Sequence, residues 1–225
     1  MNVALLIPAY NARSTLPRLL TVVGPFFDKH HILVIDDGST DGTASVVQNT
    51  GTNLIQHPQN LGKGAALRTG FDWALARDYD AIITMDADGQ HDESEIPKFL
   101  TAADRSIGAI IVGSRMGKPE GMPWHRRLSN RMTSWLLSRR TGQTIQDSQC
   151  GYRFIRTEVL RKVTLETTRF QMESEILIKA SLAGFHIGFI PIQTIYNAPH
   201  SSMHLATDTW RFVWLMIKSM AWNNK

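Results

Sequence analysis

Short apolar runs alternate with longer amphipathic segments along the first 115 residues of the chain. The runs VALLIPAY and AIITM are continuously apolar, which is typical of parallel strands buried on both faces of a sheet. The segments between such runs repeat apolar positions at helical spacing, as Leu67, Phe71 and Ala74 do. This alternation predicts an α/β fold in which helices cover both faces of a mostly parallel sheet. The predicted strands begin near residues 3, 32, 53, 81 and 109.

The rhythm changes after residue 120, where basic and aromatic residues become frequent. The expected elements are a basic helix over 123–142, a loop, strand and helix start over 147–160, a helix over 171–185, a strand pair or long strand over 186–197, and an amphipathic helix over 208–222. We expect one domain over residues 1–200 and a C-terminal amphipathic helix within 201–225.

The composition fits a compact chain in a reducing compartment. Apolar residues make up 43% of the sequence and charged residues 20%, which suits a folded domain rather than a disordered chain. The one cysteine, Cys150, excludes an internal disulfide and favours a cytoplasmic location. No apolar run approaches the roughly 20 residues that span a bilayer, and the N-terminus is interpreted as a strand rather than a signal peptide. We therefore expect a protein that is soluble or peripheral at the inner face of the membrane.

Positive charge is concentrated between residues 115 and 140. The cations of this segment are Arg115, Lys118, Arg126, Arg127, Arg131, Arg139 and Arg140. Glu120 is its one acid, although the net charge of the whole chain is only +4. The segment is either a solvated helix face or a surface for an anion such as nucleic acid, anionic lipid or a phosphorylated substrate.

Two carboxylates, Asp86 and Asp88, follow the apolar run of the fourth predicted strand and precede Gly89. Like charges this close repel, and a bound cation removes the penalty. Two carboxylates with few other ligands suit Mg²⁺ or Mn²⁺ that is completed by substrate phosphates. The alternative is capping of the helix expected from about Glu93, but capping needs only one aspartate. The pair therefore predicts a divalent metal site.

Two further features lie where a strand or a turn ends. Asp36 and Asp37 follow the second predicted strand, where a carboxylate can accept hydrogen bonds from a nucleobase edge or a ribose hydroxyl, although Asp37 with Gly38 is also a favourable turn. The segment NLGKGAALRTG satisfies neither the Walker A pattern nor the dinucleotide fingerprint. Its lysine, Lys63, can still reach an anion at a helix N-terminus. Ligands of parallel sheets bind at the carboxyl ends of strands, where these residues converge.

Several motifs occur here in the order seen in family-2 glycosyltransferases of the GT-A fold. The motifs are LIPAYNA, VIDDGSTDGT, NLGKGAALRTGF, MDADGQH, VGSR, DSQCGYRFIR and the ESEILIKA segment with its following IPI. The chain most resembles the polyprenyl-phosphate or dolichyl-phosphate mannosyl- and glucosyltransferases, over residues 3–197. The resemblance implies a Rossmann-like GT-A sheet and an enzyme that uses Mg²⁺ or Mn²⁺ to transfer a sugar from a nucleoside-diphosphate sugar with inversion.

The resemblance also implies roles for residues at the motif positions. The nucleotide-binding positions are Pro8, Ala9, Tyr10, Asp36, Asp37, Lys63 and Asp86. The metal ligands are Asp86, Asp88 and Gln90. The catalytic and acceptor-side positions are Asp88, Arg115, Arg127, Asp147, Arg153 and Glu175, of which Arg115 and Arg127 match arginines that hold the acceptor phosphate. Gly151 and Tyr152 belong to the same family element as Asp147 and Arg153.

The residues leave two classes of acceptor open, a lipid phosphate and a hydroxyl. A lipid phosphate needs no general base, whereas a hydroxyl acceptor needs one, for which Asp147, Glu173 and Glu175 are the candidates. The family's His-Gly-x-Ser-Lys element is replaced here by HSSMHLATDTW, which lacks the lysine. A soluble enzyme that acts on a sugar or protein hydroxyl is therefore an alternative, and a nucleotidyltransferase or nucleotide-binding module is a second.

Tryptophan and arginine together suit a membrane interface. Five of the six tryptophans follow residue 120, namely Trp124, Trp135, Trp210, Trp214 and Trp222. The final helix is too short to span a bilayer, so it either lies in the interface or packs on the domain or a second copy. We therefore expect a lipid-phosphate acceptor and peripheral contact with a membrane. Nucleic acid is not expected, because the basic segment accompanies no recognised nucleic-acid module.

Overall fold

A central sheet organises the residues that the computed structural model describes, which are 1–117, 121–193 and 205–222. Its strands are β1 (Val3–Ala9), β2 (Ile32–Asp36), β3 (Asn53–Gln56), β4 (Ala81–Thr84), β5 (Ile110–Ser114), β6 (Arg153–Arg156) and β7 (Ile187–Pro191). The helices are α1 (Leu16–Val23), α2 (Thr43–Thr50), α3 (Lys63–Leu75), α4 (Ile96–Asp104), α5 (Trp124–Thr141), α6 (Thr157–Lys162), α7 (Met172–Leu182) and α8 (Leu205–Ser219).

The strand order in the sheet is β3-β2-β1-β4-β6-β5-β7. β6 runs antiparallel between β4 and β5, and the other strand pairs are parallel. The predicted α/β architecture with a mostly parallel sheet is confirmed. Because β6 is antiparallel, it starts at the edge of the sheet where β4 and β5 end, so the loop before β6 lies at that edge.

The core lies on both faces of the central strands. Leu5, Leu6 and Ile7 of β1 have no exposed surface, as the continuous apolar run predicted. α1 packs on α2, α3 packs against β1 and β2, and α4 packs against β5, β6 and β7. The helices thereby shield the apolar strand side chains from water.

Three boundaries differ from the sequence prediction. The helix expected from Glu93 begins instead at Ile96, after a 3-10 turn over Glu93–Glu95. The last strand is a single short one, β7, and the remainder of the predicted strand region after residue 193 lies outside the described residues. The final helix begins at Leu205 rather than at residue 208, and the expected domain boundary near residue 200 also lies outside the described residues.

α8 docks on the domain through one of its faces. Leu215 is buried, and the Lys218 ammonium pairs with the Glu166 carboxylate. The Arg140 guanidinium of α5 donates to the carbonyl oxygens of Ser219 at 2.5 Å and Trp222 at 2.8 Å, which ties α5 to the end of α8. Among the described residues, no helix is both long and apolar enough to cross a bilayer.

Candidate active site

The carboxyl ends of the parallel strands meet at one edge of the sheet, here called the carboxyl edge. The register of β1 and β2 sets Ala9 beside Asp36. The loop that precedes β6 reaches the same edge, because Arg153 at the start of β6 pairs with Thr84 at the end of β4. The sheet therefore brings the nucleotide-side positions and the acidic pair to one edge, as the sequence predicted, and it adds the segment that follows Asp147, which the sequence did not place there.

The end of β1 offers one exposed aromatic ring. Pro8 and Ala9 are buried in the sheet, whereas Tyr10 is 50% exposed at the carboxyl edge. Asn11, which follows, has a positive φ of 51° and accepts a hydrogen bond from the Thr40 amide through its side chain. This bond fixes the turn after β1 against the turn after β2, beside Asp36.

Asp36 and Asp37 have different surroundings. The Asp37 carboxylate accepts hydrogen bonds from the Leu61 and Gly62 amides, at 3.0 and 2.8 Å, and lies 2.7 Å from His57 Nδ1. Asp36 accepts one bond from the Ser39 amide through Oδ1, while its buried Oδ2 has no hydrogen-bond partner among the described residues. Asp37 therefore holds the segment before α3, and Asp36 is the member of the pair with an oxygen that lacks a donor.

The glycines at the start of α3 allow close packing rather than forming a phosphate loop. A Cβ atom on Gly62 would lie 2.7 Å from the Thr168 carbonyl oxygen, and one on Gly64 would lie 2.7 Å from the Arg169 carbonyl oxygen. The Ala65 amide donates to the same Thr168 oxygen at 2.8 Å. The start of α3 is thus buried against the segment before α7, and Lys63 is the charged residue of its first turn.

Lys63 lies between two carboxylates. Its Nζ is 2.6 Å from Asp86 Oδ1 and 3.0 Å from Glu173 Oε1. Burial alone would raise the pKa of Asp86, but Lys63 and the nearby His91 hold that pKa well below its usual range. Burial alone would lower the pKa of Lys63, yet the two carboxylates raise it. Lys63 and Asp86 therefore stay charged, and Asp86 is available as a carboxylate.

Gly151 closes over this ion pair from the loop before β6. A Cβ atom there would lie 2.6 Å from Asp86 Oδ2 and 2.7 Å from Lys63 Nζ, both far closer than a carbon atom can approach. The carbonyl oxygen of Gly151 also accepts a 2.7 Å hydrogen bond from the Thr84 hydroxyl of β4. The loop can therefore lie against Asp86 only because residue 151 has no side chain.

The acidic pair does not cap the following helix. Asp92 accepts a 2.9 Å hydrogen bond from the Ser94 amide and so caps the turn that leads into α4. Asp88 is exposed, and its Oδ1 accepts the Gln90 amide at 2.9 Å. The capping alternative for Asp86 and Asp88 is therefore wrong, because a third aspartate performs that role.

The donor atoms at this position suit a hard divalent cation. Asp86 and Asp88 provide carboxylate oxygens, and the half-buried Gln90 provides an amide oxygen two residues further. Within the described residues, no group of three or more His, Cys, Asp or Glu side chains is assembled as a complete metal site. Oxygen donors in an incomplete set fit Mg²⁺ or Mn²⁺, which retain positions for water and phosphate, and do not fit zinc.

Arg115 is fixed by Asp147. Its Nε and Nη2 atoms donate to the two Asp147 oxygens at 2.8 and 2.9 Å, and Asn130 Nδ2 donates to Oδ1 at 2.7 Å. Burial alone would raise the pKa of Asp147, but the Arg115 guanidinium lowers it. An ionised carboxylate with its oxygens committed to donors is a poor general base. Asp147 therefore positions Arg115 at the end of β5.

Arg153 and Glu175 make supporting contacts. The buried Arg153 guanidinium donates to the carbonyl oxygens of Ser148, Cys150 and Glu173 at 2.9, 2.7 and 2.5 Å. Glu175 is fully buried and accepts the Thr167 amide at 2.9 Å, with Lys179 Nζ 2.7 Å away. The Arg153 contacts tie the loop before β6 to α7, and the Glu175 contacts tie α7 to the segment before it. Both sets favour a structural role, and the direct catalytic role expected of both residues stays a prediction.

Arg127 lies on α5 and is half-buried. Its Nε atom is buried and has no hydrogen-bond partner among the described residues. A buried guanidinium nitrogen without an acceptor is unfavourable, so this atom can donate to a further partner. The role of Arg127 toward a phosphate stays a prediction.

Sequence reasoning missed three residues that support the site. His57 contacts Asp37, Asn130 donates to Asp147, and His91 Nε2 lies 3.5 Å from Asp86 Oδ2. Only His91 had a local signal, because it directly follows the acidic motif. The other two approach their partners through the fold, from distances of 20 and 17 residues along the chain.

Comparison with known proteins identifies the family. A family model described as glycosyl transferase family 2 matches residues 4–164. This chain belongs to glycosyl transferase family 2. The polyprenol monophosphomannose synthase of Mycolicibacterium smegmatis is 32% identical over 199 residues, which cover 83% of this chain and 75% of that protein. The undecaprenyl-phosphate mannosyltransferase of Micrococcus luteus is 29% identical over 204 residues, or 85% and 83% of the two chains.

The fold of this family-2 glycosyltransferase is that of solved GT-A enzymes. The glucosyl-3-phosphoglycerate synthase of Mycobacterium tuberculosis, solved with Mn²⁺, uridine diphosphate and glucosyl-3-phosphoglycerate, superposes with a TM-score of 0.69 at 18% identity. The match covers 97% of this chain and 78% of that one. The predicted GT-A fold and the resemblance to polyprenyl-phosphate glycosyltransferases are confirmed.

Proposed function

We propose that this family-2 glycosyltransferase moves a sugar from a nucleoside-diphosphate sugar to a polyprenyl phosphate, with inversion and with Mg²⁺ or Mn²⁺. The observation that carries the proposal is the carboxyl edge, where Asp86, Asp88 and Gln90 offer oxygen donors after β4 and where Arg115, fixed by Asp147, follows the end of β5. The names of two relatives, a polyprenol monophosphomannose synthase and an undecaprenyl-phosphate mannosyltransferase, support the acceptor class.

The cation would be held by Asp86 and Asp88, with Gln90 as a further oxygen ligand. When bound, it would offset the negative charge that develops on the leaving nucleoside diphosphate. Asp86 is already kept ionised by Lys63, so no proton has to leave before the ion is bound. Lys63 itself carries a positive charge beside the expected position of the diphosphate.

The nucleoside would bind between the ends of β1 and β2. Tyr10 offers an exposed ring against which a base can stack. Asp36 Oδ2 lacks a donor among the described residues, and an N–H of the base or a ribose hydroxyl can supply one. Asp37 contributes indirectly, because it holds the segment before Lys63 through two amides.

A phosphate acceptor agrees better with the carboxylates than a hydroxyl does. Asp147 and Glu175 are buried, hydrogen-bonded and lowered in pKa, and Glu173 is paired with Lys63. None of these three residues is poised to remove a proton, and an acceptor that is already anionic needs no base. Arg115 and Arg127 would hold the acceptor phosphate.

The acceptor would be reached at a membrane surface formed by α5 and α8. The exposed apolar side chains of this surface are Trp124, Leu128, Met132 and Trp135 of α5 and Trp210, Val213, Trp214 and Ile217 of α8. Arg131 and Arg139 are exposed on α5 between or beside these residues. Exposed apolar rings next to cations fit peripheral contact with anionic lipid, and the like charges on α5 oppose pairing with a second copy.

The second candidate is a soluble family-2 glycosyltransferase that acts on a hydroxyl. The motif HSSMHLATDTW favours it, because it lacks the lysine expected beside a lipid phosphate. Membership of a glycosyltransferase family leaves the nucleotidyltransferase alternative without support.

The test is a transfer assay with labelled uridine and guanosine diphosphate sugars, Mn²⁺ and three acceptors. Undecaprenyl phosphate is expected to accept the sugar, and undecaprenol of equal length, which lacks the phosphate, is expected not to. A free sugar serves as the hydroxyl acceptor of the second candidate. Transfer to undecaprenol or to the free sugar, with none to undecaprenyl phosphate, would overturn the proposal.

A further inference from the structure

Lys63 has two carboxylate partners that come from different elements of the fold. Asp86 approaches from the end of β4 at 2.6 Å, and Glu173 approaches from the first turn of α7 at 3.0 Å. The lysine side chain is only 15% exposed, so water provides little of its solvation. One of the two carboxylates, Asp86, is also a ligand of the proposed metal site, and the present inference rests on that proposed site.

A divalent cation at Asp86 would compete with Lys63 for the same carboxylate. The ammonium touches Asp86 Oδ1, and two positive charges at such short range repel each other strongly where water is scarce. A largely buried cation that loses its only carboxylate is left uncompensated, which is strongly unfavourable. If Asp86 were the only partner of Lys63, the lysine would oppose binding of the metal.

Glu173 is placed to remove that conflict. Its side chain is 10% exposed, and its backbone carbonyl oxygen accepts Arg153 Nη1, which fixes the first turn of α7. Its charge is also favoured near the helix N-terminus. Glu173 can therefore keep the Lys63 ammonium compensated while Asp86 turns an oxygen toward the cation.

We propose that Glu173 is a positioning residue that retains Lys63 when Asp86 binds the divalent cation, and thereby raises the affinity of the site for that cation. Glu173 acts through Lys63 and does not ligate the metal itself. The positive charge of Lys63 stays beside the nucleotide position throughout.

Mn²⁺ binding to the nucleotide-free protein, followed by electron paramagnetic resonance of the free ion, tests this role without turnover. Glu173→Gln is expected to weaken Mn²⁺ binding about tenfold, which is the size of one ion-pair coupling. In a Lys63→Met background the same substitution is expected to change binding by less than about threefold, because no ammonium remains to be held. Glu158→Gln is the matched control, since Glu158 is exposed on α6, which follows β6 at the opposite edge of the sheet.

Glu173→Asp separates contact from charge. It keeps the negative charge but withdraws the carboxylate from Lys63, so an affinity between those of the wild type and Glu173→Gln is expected. It also serves if circular dichroism shows that Glu173→Gln is unfolded.

Two results would overturn the inference while the metal site stands. One is wild-type affinity in Glu173→Gln. The other is an equal loss of affinity whether Glu173→Gln is made in the wild-type protein or in the Lys63→Met variant, which would mean that Glu173 acts on the ion directly. Absence of Mn²⁺ binding by the wild-type protein, with or without a nucleoside diphosphate, would overturn the proposed metal site together with this role.

Discussion

Gly151 lies so close to Asp86 that a methyl group on the glycine would be 2.6 Å from the carboxylate oxygen Oδ2. The two residues are far apart in the sequence, yet the reversal of the chain at β6 brings the Gly151 loop over the end of β4. The requirement for glycine here is one of space, because the φ angle of Gly151 is not in the left-handed region. Asp86, the proposed metal ligand, can therefore occupy this position because residue 151 has no side chain.

Gly151→Ala is therefore expected to damage the site more than the fold. The methyl group must displace Asp86 or Lys63, and a misplacement of about 1 Å in an active site can lower activity about 100-fold. The measurements are kcat for transfer and the melting temperature. Gly117→Ala is the control, because a Cβ atom there would meet no described residue within 4 Å. Equal activities of the two variants would contradict the proposed contact.

The Arg115–Asp147 pair should make the free energy of unfolding fall when the pH is lowered into the acid range. The folded-state pKa of Asp147 is lowered by Arg115 against the effect of burial. The contribution of the pair is therefore complete above the unfolded pKa of about 3.9, and it is lost as the pH falls through the folded value. Asp147→Asn is expected to lower the free energy of unfolding by about 3 kcal/mol at neutral pH, since it leaves a half-buried guanidinium without its carboxylate.

Urea unfolding from neutral pH down to about pH 3 measures this effect. Asp147→Asn should lose less stability on acidification than the wild type does. Asp72→Asn, which makes the same change at an exposed position on α3, should follow the wild-type profile. Parallel profiles for the wild type and Asp147→Asn would show that the pair does not contribute as described.

Arg115→Lys tests the acceptor side. Lysine keeps the positive charge but cannot make the two hydrogen bonds that Arg115 makes with Asp147. The charged group at position 115 is therefore no longer held in one orientation. We expect kcat/KM for undecaprenyl phosphate to fall about 100-fold, while the KM for the sugar nucleotide stays within about threefold. Arg105→Lys, at an exposed position after α4, should change neither value. A defect confined to the sugar nucleotide would move Arg115 to the donor side.

The apolar surface of α5 and α8 should bind membranes without stabilising the fold. Trp210 and Trp214 are 70% and 61% exposed, so Trp210→Ser with Trp214→Ser removes little packing within the domain. Sedimentation with anionic vesicles is expected to show at least about tenfold weaker binding, because each ring would bury apolar area in lipid. The melting temperature should not change.

Phe26→Ser is the control for that substitution, because Phe26 is an exposed aromatic residue outside both helices. It should retain wild-type vesicle binding. Unchanged vesicle binding in the double tryptophan variant would favour a soluble enzyme, and a large loss of thermal stability would show that the two rings pack within the protein.

The sequence predicted the individual strands of the sheet well, but it did not predict how distant strands pair. Continuous apolar runs predicted β1, β2 and β4, since a strand that is buried on both faces needs apolar side chains throughout. Nothing local indicates that β6 inserts antiparallel between β4 and β5, because that arrangement depends on contacts between residues such as Thr84 and Arg153. The position of the Gly151 loop follows from this pairing and could not be foreseen.

The same limit applies to the charged residues. Arg153 and Glu175 occupy motif positions, but the motif does not show that their side chains are buried. Their burial depends on partners that the fold brings to them, such as the Glu173 carbonyl oxygen for Arg153 and the Thr167 amide for Glu175. The roles of Asp36 and Asp37 differ for a similar reason, because the His57 contact that fixes Asp37 spans 20 residues. Residue type and spacing can name a site, but they do not distinguish a side chain that faces a ligand from one that supports it.

Divalent-metal dependence of transfer to undecaprenyl phosphate tests the central claim most directly. The wild-type protein should transfer sugar in Mn²⁺, lose that activity in excess chelator and regain it when Mn²⁺ is restored, whereas Asp88→Asn should be impaired in Mn²⁺ by about 100-fold or more. Circular dichroism of Asp88→Asn should match the wild type, because Asp88 is exposed. Full activity of Asp88→Asn in chelator would contradict a reaction that depends on a cation at the acidic pair.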